Sequence, residues 1–397
     1  MIPVHPVSDA AAYDELAWNL ASRGTYAWKN GDVTAYWPVG TAFIYSLPYR
    51  LLGHDYAGAA LLNLLAGTGV LALIIKLGSE WFTRPAALAA GALYAFWPSQ
   101  IQFTTVLASE LYFQLAVLSA MSAAFDARRA YLIRGLAVGA LVAAAAYVRP
   151  LALPLVVLIP VAVALYRRVG VRDLLIFATA AAVTMAVCIF PWTMRNMRAL
   201  GSPVIISTNG PLVMWMGNNR NATGEFVDLP ADVAGMDEVT RSRVLGERAR
   251  AFITEHPLRF SELLVRKTLI THSRETIGVV WNQEELEPRI GVRGVFIAKI
   301  LSSLYWYGLL LLGLAGAALI LRREKLRGLF HPALLAWAYF AAIHAVTLAQ
   351  DRYHFPSIPF IAMLAGFAAL SALDRFGWPI SRLDGERCGA HVHTRGG

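Results

Sequence analysis

Two carboxylates and three arginines stand out in this chain. Each lies in or beside an apolar stretch, where an ionisable group is costly unless it is paired or used. Asp9 shares a helical face with Tyr13, Leu16 and Leu20, while Asp14 and Glu15 fall on the other side and read as solvated acids. Glu110, in Leu107-Ala108-Ser109-Glu110-Leu111-Tyr112-Phe113, lies about one turn into an otherwise apolar run. Arg149 precedes Pro150 between two apolar runs, Arg195 follows Pro191-Trp192 at the end of another, and Arg352 sits in Asp351-Arg352-Tyr353-His354-Phe355-Pro356. A guanidinium presents a planar fork to phosphate and stays charged, and a positioned carboxylate can take a proton from a hydroxyl. Together these groups suit an anionic ligand and acid–base chemistry at one membrane face. Plainer readings exist for each: an acid complementing a helix N-terminus for Asp9, a paired or snorkelling carboxylate for Glu110, and snorkelling or acid-pairing arginines.

The other polar residues carry less. His344, inside an apolar run, reads as a satisfied interior histidine. His256, His272 and His354 show no metal-ligand spacing, and His391-Val392-His393 belongs to a polar tail. Cys188 lies in an apolar run and Cys388 in the tail, so neither suggests a disulfide framework or a metal knuckle. Asn221-Ala222-Thr223 fits a glycosylation sequon, a pattern frequent by chance.

The elements that hold these residues must be mostly membrane helices. Of 397 residues, 57% are hydrophobic and 15% charged, against about 25% charged in soluble domains. There is too little polar surface for a soluble core. Apolar runs at roughly 57–76, 84–98, 105–125, 131–148, 150–167, 173–193, 296–321, 331–349 and 354–373 predict nine spans, each needing about 20 residues. The segment 38–52 is short and contains Pro38, Pro48 and Arg50, so it reads as a re-entrant or interfacial helix. Ser8 and Gly24 bound a predicted helix over 9–22.

The net charge of +9 reports orientation, not nucleic-acid binding. Lys76 with Arg84; Arg128, Arg129 and Arg134; Arg167, Arg168 and Arg172; Arg322, Arg323, Lys325 and Arg327; and Arg375 all lie in links that alternate along the chain, which places them on the cytoplasmic side. The layout expected is an outer-face loop with interfacial helices at 1–56, transmembrane bundles at 57–193 and 296–373, an outward polar region at 194–295, and a cytoplasmic tail at 374–397. Within the polar region, 237–255 predicts a helix burying Leu245, Ala249, Phe252 and Ile253, and 258–272, with Leu263, Leu264 and Ile270 beside Arg259, Arg266 and Lys267, predicts an amphipathic helix at headgroup level. Nine spans with a cytoplasmic C-terminus put Met1 outside, so one more helix upstream, or a translocated short tail, is expected.

The order of these motifs resembles a known family. Ser8-Asp9-Ala10-Ala11-Ala12-Tyr13, Trp37-Pro38-Val39-Gly40, Ser109-Glu110-Leu111, Arg149-Pro150, Pro191-Trp192-Thr193-Met194-Arg195-Asn196, Gly217-Asn218-Asn219 and Arg352-Tyr353 together look like the family-39 type of GT-C glycosyltransferases, bacterial relatives of protein O-mannosyltransferases and of the lipid A aminoarabinose transferase. The protein mannosyltransferases carry an Asp-Glu pair where this chain has Asp9-Ala10, which favours the bacterial branch. The resemblance implies an all-α, GT-C type polytopic bundle in the inner (plasma) membrane. It implies transfer of a sugar from a polyprenyl-phosphate donor to a lipid, polysaccharide or protein acceptor at the outer face, with inversion. Asp9 would be the general base. Glu110 would position the acceptor, support Asp9 or hold a divalent metal with it. Arg149, Arg195 and Arg352 would meet the phosphate, and Tyr13, Trp37, Trp215, Asn218 and Tyr353 would line the substrate site. Two other classes compete: a transporter or lipid-carrier flippase, which predicts inverted repeats and broken helices at the midplane, and a non-catalytic envelope assembly protein, which predicts that amides replace Asp9 and Glu110 without loss.

Overall fold

Apolar runs of this length satisfy their backbone amides away from water by forming α-helices. The computed structural model of the chain describes residues 4–375, and it is helical almost throughout. No strand occurs among the described residues, and extended pairing is limited to an isolated bridge between Ala27 and Val33. In chain order the helices are α1 (Asp9–Arg23), α2 (Val39–Leu52), α3 (Tyr56–Trp81), α4 (Arg84–Ala95), α5 (Pro98–Gln102), α6 (Glu110–Phe125), α7 (Tyr131–Val148), α8 (Leu155–Arg167), α9 (Val171–Leu200), α10 (Asn209–Gly217), α11 (Glu238–Glu255), α12 (Pro257–Thr271), α13 (Ile277–Trp281), α14 (Gln283–Glu324), α15 (Pro332–Val346) and α16 (Ile358–Arg375).

The chain is a multi-span membrane protein. Among the described residues, six helical stretches are long and apolar enough to cross a bilayer: Tyr56–Trp81, Tyr131–Val148, Pro150–Arg167, Val171–Leu200, Gln283–Phe330 and Phe355–Asp374. The pair Pro98–Thr105 and Glu110–Phe125, bent by 115°, makes a seventh if counted as one broken span. Of the nine runs read from sequence, the remaining two hold helices too short to cross alone. α4 has 12 residues and α15 has 15, a rise of about 18 and 22 Å against about 30 Å of hydrocarbon. Gly291, at φ 70°, interrupts α14 and separates its polar first turns from the apolar stretch that follows.

Local signals explain most helix ends. Gly24 adopts the left-handed conformation and its N–H closes α1 onto the Leu20 carbonyl. Ser8, expected to cap that helix, makes no side-chain cap bond. In the outward region, α11 buries Leu245, Ala249 and Phe252 as its periodicity predicts. α12 departs from expectation in one respect: Lys267, read beside Arg259 and Arg266 as a headgroup-facing cation, is fully buried. Cys388, His391 and His393 lie outside the described residues.

The helices pack closely where their residues are small, the usual device when lipid offers no hydrophobic drive. Gly135 and Gly139 of α7 sit against Ala180 and the Phe177 and Ala181 carbonyls of α9, and Gly316 of α14 sits on the Leu364 carbonyl of α16.

The two ends of the bundle differ. At one end Trp81, Phe125, Tyr166 and His331 pack together, Arg327 donates to the Tyr166 carbonyl, and Arg323 lies over Phe367. The basic links read from sequence adjoin these residues. Asp9, Glu110, Arg149 and Arg352 gather at the other end.

A Cβ on Gly316 would lie 2.1 Å from the Leu364 backbone oxygen, whereas nothing lies within 4 Å of one on Gly308. Gly316→Ala is expected to cost about 1–3 kcal/mol, read as a lower unfolding midpoint in detergent. Gly308→Ala is expected to leave that midpoint unchanged or raise it. Equal midpoints for both variants would overturn this helix contact.

Candidate active site

The site is assembled from helix ends. Asp9 opens α1 and Glu110 opens α6, so both carboxylates sit where the helix dipole favours negative charge. Arg149 lies in the link after α7 and Arg352 in the turn before α16.

The four form a chain of alternating charge. The Arg149 Nη2 pairs with Glu110 Oε1, Arg352 Nη1 approaches that same oxygen at 3.7 Å, and Arg352 Nη2 pairs with Asp9 Oδ2. Arg149 Nε also donates to Ser109 Oγ at 2.8 Å. The Glu110 side chain is 1% exposed and that of Arg352 8%, but Asp9 keeps 21%. Asp9 is thus the acid that incoming material can reach. Burial alone would pull the Arg352 guanidinium down; the charges of Asp9 and Glu110 outweigh it and lift it above its ordinary value. Burial, then the charge of Asp9, pushes the Tyr13 phenol up, so Tyr13 faces the site as a neutral hydroxyl.

Supporting residues hold each member. The irregular segment before Glu110 is fastened by Asn63, which donates to the Thr104 and Val106 carbonyls at 3.2 and 2.9 Å and accepts from Tyr45 and Tyr112. The Tyr45 oxygen also accepts from the Ala108 amide at 2.9 Å. Arg352 lies over the Trp281 ring at 4.5 Å, and its Nε donates to Gln350 Oε1 at 3.1 Å. Its neighbour Asp351 accepts from the Thr276 hydroxyl at 2.7 Å. His354, stacked on Trp306 at 3.9 Å, places Nδ1 2.8 Å from the Thr271 carbonyl and Nε2 2.8 Å from Glu275 Oε2, and Glu275 also accepts from Trp97. The Thr271 carbonyl can only accept, so Nδ1 carries a proton.

The structure brings together Asp9, Glu110, Arg149, Arg352 and Tyr13, with Trp37 one ring away at 5.5 Å from Tyr13. Tyr353 lies beside Arg352 and stacks on His344 at 4.6 Å. Three expected substrate contacts sit elsewhere. Arg195 donates to the Tyr26 and Thr34 carbonyls at 2.8 and 2.7 Å, which fastens the segment between α1 and α2. Asn218 is buried, and its amide is spent on the Met214, Val346 and Thr347 carbonyls. Trp215 packs by a small core of Leu212, Val233 and Leu245 and borders a cavity of about 320 Å³ with Arg220, Arg248 and His256. Asp14 is a correction: it accepts from Tyr49, His54 and Tyr56 at 2.6, 2.9 and 3.1 Å and is not solvated. Glu15 likewise accepts from the Lys29 amide. His344 is buried as expected, yet neither ring nitrogen has a hydrogen-bond partner among the described residues, so the satisfied reading is corrected.

Sequence reasoning missed Asn63, Trp281, Glu275 and Lys267. Asn63 and Lys267 carried a usable signal, a polar or charged group within an apolar helix face. Lys267 Nζ reaches the Val346 and Thr347 carbonyls at 3.0 and 3.2 Å and Asn218 Oδ1 at 3.0 Å, tying α10 and α12 to the end of α15. Burial pushes its ammonium down to about 8.

Among the described residues no three His, Cys, Asp or Glu side chains gather as metal ligands. Asp9 and Glu110 instead both face Arg352. In this arrangement guanidiniums supply the positive charge beside both carboxylates.

Among solved structures, the chain is similar to the oligosaccharyltransferase of Archaeoglobus fulgidus, determined with zinc and sulfate, at a TM-score of 0.56 and 15% identity, over 97% of this chain and 47% of that one. The chain therefore spans about half the length of that enzyme. It also matches ArnT from Cupriavidus metallidurans bound to undecaprenyl phosphate, at a TM-score of 0.45 and 16% identity over 99% of this chain and 77% of that one, and the apo form of the same protein at 0.44. No family model and no curated protein matches the chain. The fold is that of the GT-C membrane glycosyltransferases.

Lys267→Met removes the buried ammonium that bridges the Gly217, Val346 and Thr347 carbonyls and Asn218 Oδ1. The variant is expected to lose about 1–3 kcal/mol, seen as a lower unfolding midpoint. His344→Phe keeps the stack on Tyr353 and removes two unpaired ring nitrogens, so its midpoint is expected to hold or rise. A fall as large as that of Lys267→Met would show that His344 does have partners.

Proposed function

We propose that the protein is a membrane glycosyltransferase that moves a sugar from a polyprenyl-phosphate carrier to a hydroxyl-bearing envelope acceptor. Transfer takes place at the outer face of the inner (plasma) membrane. The observation that carries this reading is the alternating chain Arg149–Glu110–Arg352–Asp9 at one end of a bundle whose sides are made for lipid. A lipid-borne donor reaches such a site from within the bilayer, and the acceptor reaches it from water.

The steps follow from the charges. The Asp9 carboxylate, the more exposed acid, takes the proton of the acceptor hydroxyl. The acceptor oxygen attacks the anomeric carbon from the face opposite the phosphate, forming one C–O bond as the other breaks. The electron pair of the broken bond leaves with polyprenyl phosphate, which gains negative charge. Arg352 and Arg149 meet that charge in a water-poor site, where fixed cations act with little reorganisation. Attack from the opposite face inverts the anomeric centre. Glu110 is a positioning residue, since it touches both guanidiniums. Tyr13 and Trp37 offer ring faces to the sugar. The basic links at the far end are cytoplasmic by the positive-inside rule, which supports the outer placement of the site.

The test uses the purified full chain in detergent with radiolabelled polyprenyl-phosphate sugars and an envelope extract. Asp9→Asn is expected to cut transfer by about 10²–10⁴-fold, with the unfolding midpoint retained. Transfer by Asp9→Asn equal to that of the native chain would overturn the assignment of the base.

A further inference from the structure

A second charged cavity lies at the basic end of the bundle, between α3, α6 and α7. It has a volume of about 290 Å³, and its walls include Lys76, Ser119, Ser122, Asp126, Arg129 and Arg134, with Leu73, Ala123 and Ala137 between them. It is separate from the Asp9 cluster: Glu110 opens α6 and Ser122 stands near its other end, about 18 Å away along the axis.

The charges on its wall do not balance. Asp126 is taken by Arg128 at 2.9 Å and Arg129 at 3.4 Å. Arg134 is 5% exposed, yet no carboxylate among the described residues pairs with it. Its Nε donates to the Arg129 carbonyl at 2.8 Å and its guanidinium lies over Tyr131 at 4.6 Å. The Nη groups have no protein partner among the described residues. Lys76, also without a carboxylate among the described residues, donates to Ser122 Oγ at 2.5 Å. A buried guanidinium lacking an opposite charge is costly, so a counter-charge from outside the protein is favoured here.

The position restricts what that counter-charge is. Lys76 lies in the last turns of α3 and Arg134 in the first turn of α7, the depth of lipid headgroups. Leu132, Ile133 and Leu136 of α7 are exposed on the bundle's flank, which makes that flank a lipid-facing surface. Basic pockets between membrane helices at this depth suit lipid phosphates.

We propose that this cavity binds the phosphate of an anionic phospholipid headgroup. Arg134 and Lys76 supply the charge, Ser119 and Ser122 the hydroxyl donors, and Leu73, Ala123 and Ala137 the apolar wall for the glycerol. The site is independent of the transfer reaction assigned above.

The test is native mass spectrometry of the full chain in detergent, with phosphatidylglycerol, phosphatidylcholine or inorganic phosphate added in turn. The native chain is expected to retain phosphatidylglycerol about tenfold more strongly than phosphatidylcholine, and Arg134→Gln to remove most of that preference. Lys76→Gln changes an exposed residue, so it separates charge from folding; a several-fold loss of preference is expected. Equal retention of both lipids by the native chain, or an undiminished preference in Lys76→Gln and Arg134→Gln, would overturn the proposal. Displacement of the lipid by millimolar inorganic phosphate would overturn the lipid assignment in favour of a small free anion.

Discussion

Glu110 is a carboxylate with 1% of its side chain exposed at the rim of a membrane bundle. A charge held there costs far more than it would in water, and it survives only with opposite charge close by. That requirement shapes this end of the molecule. Arg149 and Arg352 both turn to Glu110, and Arg352 then reaches Asp9. Four residues from four distant stretches of chain are thus locked into one row. Neutralisation is shared along the row: each interior member, Glu110 and Arg352, faces two opposite charges. The row ends at Asp9, the more water-accessible of its two acids and the proposed base.

A row of this kind needs rigid supports, because side chains hold productive geometry only when their own surroundings fix them. The supports here are buried polar groups. Asn63 and Tyr45 tie down the segment that delivers Glu110. The turn that delivers Arg352 is fastened on three sides: Asp351 to Thr276, His354 to Thr271 and Glu275, and the Phe355 carbonyl to Gln114. Lys267 adds a brace one step earlier, at the Val346 and Thr347 carbonyls. Gly217 fits beneath Thr347 because a side chain there would meet the Thr347 oxygen at 1.8 Å.

The two ends of the bundle solve opposite electrostatic problems. At the Asp9 end, cations and anions come from the protein itself and cancel along the row. At the other end the cations outnumber the acids, and the phosphates of the membrane surface are the natural complement. Between them run helices whose small residues allow backbone contact and whose large apolar residues, such as Leu61, Leu64 and Leu65 of α3, stay exposed to lipid.

Much of this was legible in the sequence. Long apolar runs admit one backbone solution in lipid, so the membrane class followed from composition and length. Alternating basic links followed from the cost of moving Lys and Arg across the bilayer. Asp9, Glu110, Arg149 and Arg352 were conspicuous because charge is rare beside apolar runs. Contacts decided the rest. Arg195 and Asn218 have the residue types of substrate contacts, yet their donors are spent on backbone carbonyls. Asp14 looked solvated on its helix wheel, and Tyr49, His54 and Tyr56 arrived from α2, α3 and the link between them to cover it. Lys267 looked like a surface cation until α15 ended on top of it. Periodicity and hydropathy describe a residue relative to its own helix, and they determined where charge sits along the chain. Which charges pair depends on groups 39 residues away for Arg149 and Glu110 and 343 away for Arg352 and Asp9, and only the packed tertiary structure brings those within reach.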